Sequence, residues 1–297
     1  LVVSPGVNPQ FRHTIRSYMQ GYNNFTVTGD VNGFDPLCSP DCLEPLIDQN
    51  TSLVLVQYPD FFGRIYDYTH LIQTAHAAGA LVAFAINPTA LGLLKPPGEF
   101  GADIVVGEGQ PLGIPLSYGG PYLGILATRK EYVRRLAGRL AGETVDQQGR
   151  KAYVLTLTAR EQHIRREKAT SNICTNQGLL ALTSTVYMSL LGKQGFRQVA
   201  ELCYHKAHYA AEKINEIPGL STCMDRPFFH EFVVCLPDDI DVDDVNNQLL
   251  DHGILGGYNL EKDYPELKHR VLLAVTEMNT REDIDYLVET LREVCHA

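Results

Sequence analysis

The chain has 297 residues, 44% of them hydrophobic, and carries 25 basic against 35 acidic side chains, a formal net charge of −10. That length buries a sizeable core and leaves room for two domains, while the acidic balance argues against nucleic acid, which is bound through concentrated positive charge. No apolar run is long enough to span a membrane, and no basic segment precedes an apolar one at the start, so neither membrane insertion nor secretion is expected.

Seven cysteines at irregular spacing argue against a disulfide framework and fit a reducing, cytoplasmic setting. Leu1 to Gly6 reads as a strand running into a turn. A chain that opens inside a buried strand is expected to be a fragment that has lost an N-terminal portion. Asn8 to Gly21 has an amphipathic helical pattern with Pro9 at its start. Asn24 to Thr28 reads as a short strand and Leu43 to Asp48 as a short helix. Ser52 to Gln57 is a buried strand. Tyr66 to Ala78 is a helix stopped by Gly79. Leu81 to Ile86 is a second buried strand, and Ile104 to Val106 and Leu123 to Ala127 are further strands. Continuous apolar strands alternating with helices predict an α/β fold, a mostly parallel sheet with helices on both faces. Such sheets hold ligands beyond the carboxyl ends of their strands. The loops after Gln57, Ile86 and Val106 are therefore the ones to watch. The first presents three aromatics, Tyr58, Phe61 and Phe62, at the sheet's edge. The third runs from Gly107 through Pro115 to Tyr122. Their Gly and Pro density fixes sharp turns and permits close backbone approach, but no Gly-rich run leads into a helix with a following Lys, so the phosphate-cradle pattern is incomplete.

The second half is a different pattern. Gly178 to Leu191 and Phe196 to Asn215 are long helices with Gly192 between them. A strand at Phe229 to Leu236, a helix at Val242 to His252, a strand at His269 to Val275 and a last helix at Arg281 to Glu293 follow. Thr280 is the expected N-cap of that helix, with Glu282 and Asp283 in its first turn. This predicts a small C-terminal α+β domain one sheet deep, with a division into 1–175 and 176–297.

Between the halves lies the stretch from Ala159 to Gln177. It begins with Arg160, Glu161, His163, Arg165, Arg166, Glu167 and Lys168 and turns neutral at Thr170, Ser171 and Asn172. By residue chemistry alone it reads as a solvated helix with i,i+4 pairs such as Glu161 with Arg165. Clustered Arg beside Ser, Thr and Asn also suits a planar anion or a docking partner. Other candidates read as structural. Cys38 and Cys42 beside Asp35 and Asp41 lack a second Cys/His pair at zinc spacing, so no metal is expected. His205 and His208 stand i,i+3 among Tyr204, Lys206 and Tyr209, an amphipathic or docking face. Cys174 reads as small packing, and Phe61, Phe62, Tyr66 and Tyr68 as core or interface.

The order of residues in the Ala159–Gln177 stretch resembles the glycine-cleaving P-protein family, the pyridoxal-phosphate (PLP) glycine decarboxylases. So do Lys95–Asp103 (KPPGEFGAD) and Gly113–Pro121 (GIPLSYGGP). Leu273–Thr280 (LAVTEMNT) resembles the non-lysine subunit of the split form of that enzyme. The resemblance implies a fold-type-I PLP-transferase-like architecture, lacking part of the subunit's N-terminal segment. Enzymes of that type need a lysine whose amine forms an imine with the cofactor, and a carboxylate that keeps the pyridine nitrogen protonated. In the lysine-bearing relatives the lysine falls just before the loop matching Pro111 to Pro121; here Gln110 stands there. Near the end of the Leu81–Ile86 strand the sequence runs Phe84-Ala-Ile-Asn87, with no acid. Lys95, followed by two prolines, falls in another loop. The resemblance therefore implies a subunit that holds no PLP covalently and has no catalytic residue of its own. Its partners would be a PLP-bearing P-protein subunit 2 and the lipoylated H-protein, in an alpha2beta2 assembly. Ser117, Tyr118, Gly119 and Gly120 would face the partner's PLP. Arg160, His163, Arg165, Arg166, Ser171 and Asn172 would serve the interface or carrier docking. Two alternatives stand beside this: a self-sufficient PLP aminotransferase or decarboxylase, against which the missing lysine and acid count, and a non-enzymatic binding module on the same fold.

Overall fold

Val, Leu and Ala dominate the strands of a five-stranded sheet in the computed structural model, which describes residues 1–29, 35–136, 140–156, 162–169, 177–223 and 226–295. Its strands are β1 (Val2–Val3), β2 (Leu53–Tyr58), β3 (Leu81–Ile86), β4 (Ile104–Glu108) and β5 (Gly124–Thr128), in that order across the sheet. The first four are parallel and β5 is antiparallel to β4. Parallel strands covered on both faces require unbroken apolar sequence. Val54, Val56, Val82 and Phe84 turn one way, against Leu71, Ile72 and Ala75 of α2 (Thr69–Ala77). Val3, Leu55 and Ala83 turn the other way, toward Ile15 of α1 (Pro9–Met19). Asn8 caps α1 by accepting from the Gln10 N–H. A single turn, α3 (Pro97–Phe100), precedes β4.

Two elements depart from the sequence reading. Asn24–Thr28 is not a strand: only Thr28 bridges to Val2, and although Val27 packs against the sheet, Phe25 is 44% exposed. The short helix predicted at 43–48 is a 3-10 helix at Pro40–Leu46 containing Pro45, whose missing N–H is incompatible with an α-turn there. An exposed hairpin, β6 (Ala141–Val145) with β7 (Lys151–Leu155), was not anticipated. Its turn closes with the Gly149 N–H donating to Asp146 O, 2.9 Å, at a Gly149 φ of 76°.

After α4 (Gln162–Arg165), α5 spans Gly178–Asn215 and is broken at Gly192 (φ 59°, ψ −171°), giving the two helical segments the sequence predicts. A second, antiparallel sheet follows. Its strands are β8 (Ser221–Thr222), β9 (Glu231–Cys235), β10 (Tyr258–Asn259) and β11 (Arg270–Ala274), ordered β10-β11-β9-β8. The expected strands at 229–236 and 269–275 are thus shorter, and β8 and β10, two residues each, had no legible pattern. The later part of α5, together with α6 (Val242–Asp251) and α7 (Arg281–Val294), buries Ala207, Ile214, Val245 and Leu291 against Phe232, Val234, Val271 and Leu273. Thr280 caps α7 in a full capping box with Asp283, as the sequence indicates.

The aromatics of the loop after β2 are not displayed at the sheet's edge. Tyr58 and Phe62 are buried, and Phe62 packs on Tyr264 with ring centroids 5.1 Å apart. The loop docks onto the second sheet. Asp60 accepts from the Phe62 and Arg64 N–H groups and pairs with the Arg64 guanidinium at 2.8 Å, both side chains buried. Gly63 (φ 86°) lies against the Glu231 carbonyl so closely that any Cβ would collide with it. Cys38 lies near Cys42 and Cys223 near Cys235, with Cα–Cα separations of 6.3 and 6.0 Å, within disulfide reach, two proximities that the irregular spacing does not reveal. Cys203 and Cys295 are free.

Candidate active-site cleft

The carboxyl ends of β3 and β4 open into a cleft of about 780 Å³, closed on its far side by α5 and by the residues flanking β9 and β11. Two of the three loops singled out from sequence reach it. Gln110, two residues beyond β4, lines its floor. The Gln110 side-chain N–H donates to Ile114 O at 2.6 Å and its backbone N–H to Glu108 Oε1 at 3.1 Å; Glu108 Oε1 also accepts from the Leu123 N–H. Asn87, one residue beyond β3, lines the same cleft. Its Oδ1 accepts from the Thr89 N–H at 3.0 Å, and its Nδ2 lies 3.5 Å from His230 Nε2. Gln110 and the end of the β3 strand thus border one cleft.

Several cleft residues carried no sequence signal of their own. His230 is 8% exposed and its Nδ1 has no hydrogen-bond partner; burial pushes its pKa down to about 4, so the ring is neutral at physiological pH. From α5, Cys203 donates its S–H to Glu277 Oε2 at 3.2 Å. Burial, reinforced by Glu277, pushes that thiol up to about 12, which keeps it protonated and unreactive. Burial, with Glu277 and Cys203 nearby, also raises Tyr187. Lys206 donates to the backbone carbonyls of Glu277, at 2.6 Å, and Asn279. Glu277 sits within the segment whose sequence carried the resemblance, but nothing in a single carboxylate after a strand marks it as facing a cleft.

The cleft does not suit PLP. Among the described residues lining it there is no Lys or Arg to form an imine or pair with a phosphate, and Glu277 adds a negative charge. Lys206 is engaged by two carbonyls, and Lys95 lies over the Phe100 ring, 4.3 Å from its centroid.

The remaining predicted positions fall elsewhere. Leu116 lines the cleft, but Ser117, Tyr118, Gly119 and Gly120 project beyond it with positive φ at all four and a fully exposed Tyr118. The left-handed region costs roughly 1–2 kcal/mol at each non-glycine residue, so Ser117 and Tyr118 are held there against their preference. Arg165 and Arg166 are exposed. His163 belongs to α4, and Arg160, Ser171, Asn172 and Cys174 lie outside the described residues. His208 is a packing residue, stacked on Phe228 at 3.9 Å and bonded to its carbonyl. Asp41, Glu44 and His70, near Cys38 and Cys42, bring one potential ligand atom each within 4.8 Å of one another.

The early part of α5 is unusual in what it leaves uncovered. Leu179, Leu182, Val186 and Leu190 are 73, 58, 49 and 82% exposed, and their 3-4-4 spacing places them on one helical face. None of the described helices is long and apolar enough to cross a membrane.

A sequence profile described as glycine cleavage system P-protein matches residues 1–291. A relative from Thermomicrobium roseum, named probable glycine dehydrogenase (decarboxylating) subunit 1, is 53% identical over 99% of this chain and 65% of its own length. One of the same name from Desulfitobacterium hafniense is 48% identical over equal shares. A crystal structure of glycine decarboxylase (P-protein) in inhibitor-bound form superposes with a TM-score of 0.89 at 39% identity, over 99% of this chain and 65% of that one. A Burkholderia pseudomallei sphingosine-1-phosphate lyase shares the fold alone, at a TM-score of 0.70 and 17% identity. The chain thus spans 65% of the length of the relatives it matches. Its fold is that of the fold-type-I PLP-dependent enzymes, and by profile and relatives alike it belongs to the glycine cleavage system P-protein family.

Proposed function

We propose that this chain is the cofactor-free subunit of a glycine decarboxylase and that a lysine-bearing partner chain completes the enzyme. The observation that carries the reading is Gln110, a hydrogen-bonded amide at the carboxyl end of β4 where imine chemistry demands a primary amine. PLP held by the partner supplies the electron sink for loss of CO₂ from glycine. The remaining aminomethyl group passes to the lipoyl arm of H-protein. This chain walls the partner's site, keeps water out and shapes the channel for the arm.

Three further features support the reading. Relatives are named subunit 1, which presupposes another subunit. The Leu179, Leu182, Val186 and Leu190 face is an apolar stripe left exposed among the described residues, the signature of a docking surface; its occupant in this reading is the lysine-bearing subunit, in an alpha2beta2 assembly in the cytoplasm. The outward loop from Ser117 to Gly120 offers the Ser117 hydroxyl to the phosphate of the partner's PLP, while the Gly119 and Gly120 N–H groups close the loop by donating to Leu116 O and Ser117 O. Arg160, His163, Arg165, Arg166, Ser171 and Asn172 serve the interface or guide an acidic carrier.

Mixing this chain with its lysine-bearing counterpart is expected to produce glycine-dependent CO₂ exchange that neither shows alone. Borohydride reduction of this chain with PLP is expected to leave it unlabelled. A specific covalent adduct on any of its own side chains would sink the proposal.

A further inference from the structure

Three donor side chains outside the cleft converge from two packed elements. The 3-10 helix at Pro40–Leu46 turns once every three residues, so Asp41 and Glu44 stand one above the other on one face. That face meets the first turn of α2, where His70 is the second residue. Both elements are anchored in the core: Leu43 is fully buried and belongs to the same cluster as Leu71, Ile72 and Ala75. Pro40 and Pro45 stiffen the 3-10 helix, and Asp67 Oδ1 fixes the start of α2 by accepting from the Thr69 N–H at 2.8 Å. Asp41, Glu44 and His70 each bring one ligand atom to within 4.8 Å of the other two, and His70 Nδ1 touches Glu44 Oε1. Two carboxylates this close disfavour each other's charge unless a cation joins them. Among the described residues no Lys or Arg pairs with either one. The Asp41 carboxylate accepts only from the Ser39 hydroxyl, at 3.2 Å, and Glu44 meets only the imidazole.

We propose that Asp41, Glu44 and His70 bind one divalent transition-metal ion of the Zn²⁺ class. An imidazole nitrogen with two carboxylate oxygens suits a borderline ion. Mg²⁺ and Ca²⁺ prefer donor sets made of oxygen alone. Three protein donors leave a further position to water. No Cys/His spacing announces the site, since Asp41 and Glu44 share a 3-10 turn and His70 stands 26 residues beyond Glu44. The ion ties the 3-10 helix to α2 and cancels the charge that the two carboxylates place there. None of the three residues lines the cleft, so the site goes beyond the proposed role of a cofactor-free subunit and does not depend on it.

The test strips this chain of metal with a chelator, keeps its thiols reduced, and titrates it by calorimetry with Zn²⁺, Co²⁺ and Mg²⁺. Zn²⁺ is expected to saturate at one ion per chain, Co²⁺ to bind more weakly, and Mg²⁺ not to saturate. Bound Zn²⁺ should raise the temperature of thermal unfolding, because the unfolded chain holds no assembled site. Acidification should weaken binding, since proton and metal compete for the imidazole. Asp41→Asn, Glu44→Gln and His70→Ala are each expected to weaken Zn²⁺ about tenfold or more, the loss that even a supporting partner of a metal ligand brings, with thermal unfolding in chelator confirming that the variants fold. Cys38→Ser with Cys42→Ser is expected to leave the affinity unchanged. No one-to-one binding of Zn²⁺, Mg²⁺ binding as tightly as Zn²⁺, folded donor variants that bind like the parent, or binding lost in the cysteine variant instead would each overturn the proposal.

Discussion

The two halves of α5 make opposite use of the same period. Beyond Gly192, Ala200, Cys203, Ala207, Ala210, Ala211 and Ile214 form a buried stripe, small at most positions so that the helix lies close on the second sheet and on the 3-10 turn at Thr89–Gly92. Before Gly192, the stripe is made of large residues and faces solvent. Helical periodicity reports that a face is apolar, not what covers it. One half is completed within the chain, and the other has the composition of an interface core, large and aliphatic without charge. The left-handed φ of Gly192 is what lets one helical run serve both duties.

The sharpest way to break this contrast is to damage each half in turn. Ile214→Ala, on the covered half, removes a fully buried side chain and is expected to cost about 2–5 kcal/mol of stability, read as a lowered urea midpoint. Leu182→Asp with Leu190→Asp, on the open half, is expected to leave that midpoint within about 0.5 kcal/mol. It should weaken association with the lysine-bearing chain by about a hundredfold or more, as expected when anchors of an interface are charged. If the double variant destabilises the isolated chain as much as Ile214→Ala does, the open stripe is core and the comparison fails.

A smaller effect sharpens the boundary between the two sheets. Glu231 begins β9 beside the docked Asp60–Arg64 loop, and burial, with the Asp60 charge adding to it, raises its carboxyl to about 7. Burial raises Asp60 only to about 6, because Arg64 and two backbone N–H groups favour its charged form. A carboxyl raised in the fold favours folding while protonated. That contribution is present below its unfolded value of about 4.5 and is lost as pH rises toward 7. Stability of the parent should therefore decline across that window. Glu231→Gln should flatten the decline by on the order of 1 kcal/mol, discounted because the side chain is only half-buried. Urea midpoints at pH 5 and pH 8 measure it, and an unchanged slope in the variant would remove Glu231 from the boundary's electrostatics.

Much of the fold was legible because long apolar strands and capped helices leave local signatures: LVLVQY and LVAFAI gave β2 and β3, and Thr280 with Asp283 gave the start of α7. What was lost was short or set by tertiary context. Two-residue strands such as β8 have no period, and Asn24–Thr28 has a strand-like composition but nothing to cover Phe25. That a cleft opens beyond β3 and β4 was legible because strand ends point to sites. His230, Cys203 and Glu277 were not, because they converge from positions far apart in the chain. The cysteine pairs were missed for the same reason: spacing 4 or 12 residues apart says nothing until a turn or a strand pair brings the sulfurs together.

The smallest expected effect concerns the charged stretch beside the open half of α5. Arg165 and Arg166 are exposed, and Arg166 adopts a positive φ of 50°, which costs a non-glycine residue roughly 1–2 kcal/mol. An exposed charge interacts through high dielectric and salt, so a single ion pair there is worth about 0.2–1 kcal/mol. Arg165→Glu should therefore leave the isolated chain's stability unchanged. In the assembled enzyme it should slow association with the partner or with an acidic carrier several-fold at low salt, and the difference should shrink as ionic strength rises and the Debye length falls below about 10 Å. Truncating Leu182 and Leu190 to Ala instead would show little such salt dependence, since burial of hydrocarbon is not screened. A salt-independent defect in Arg165→Glu would place Arg165 inside the buried interface with the leucine stripe rather than at its rim.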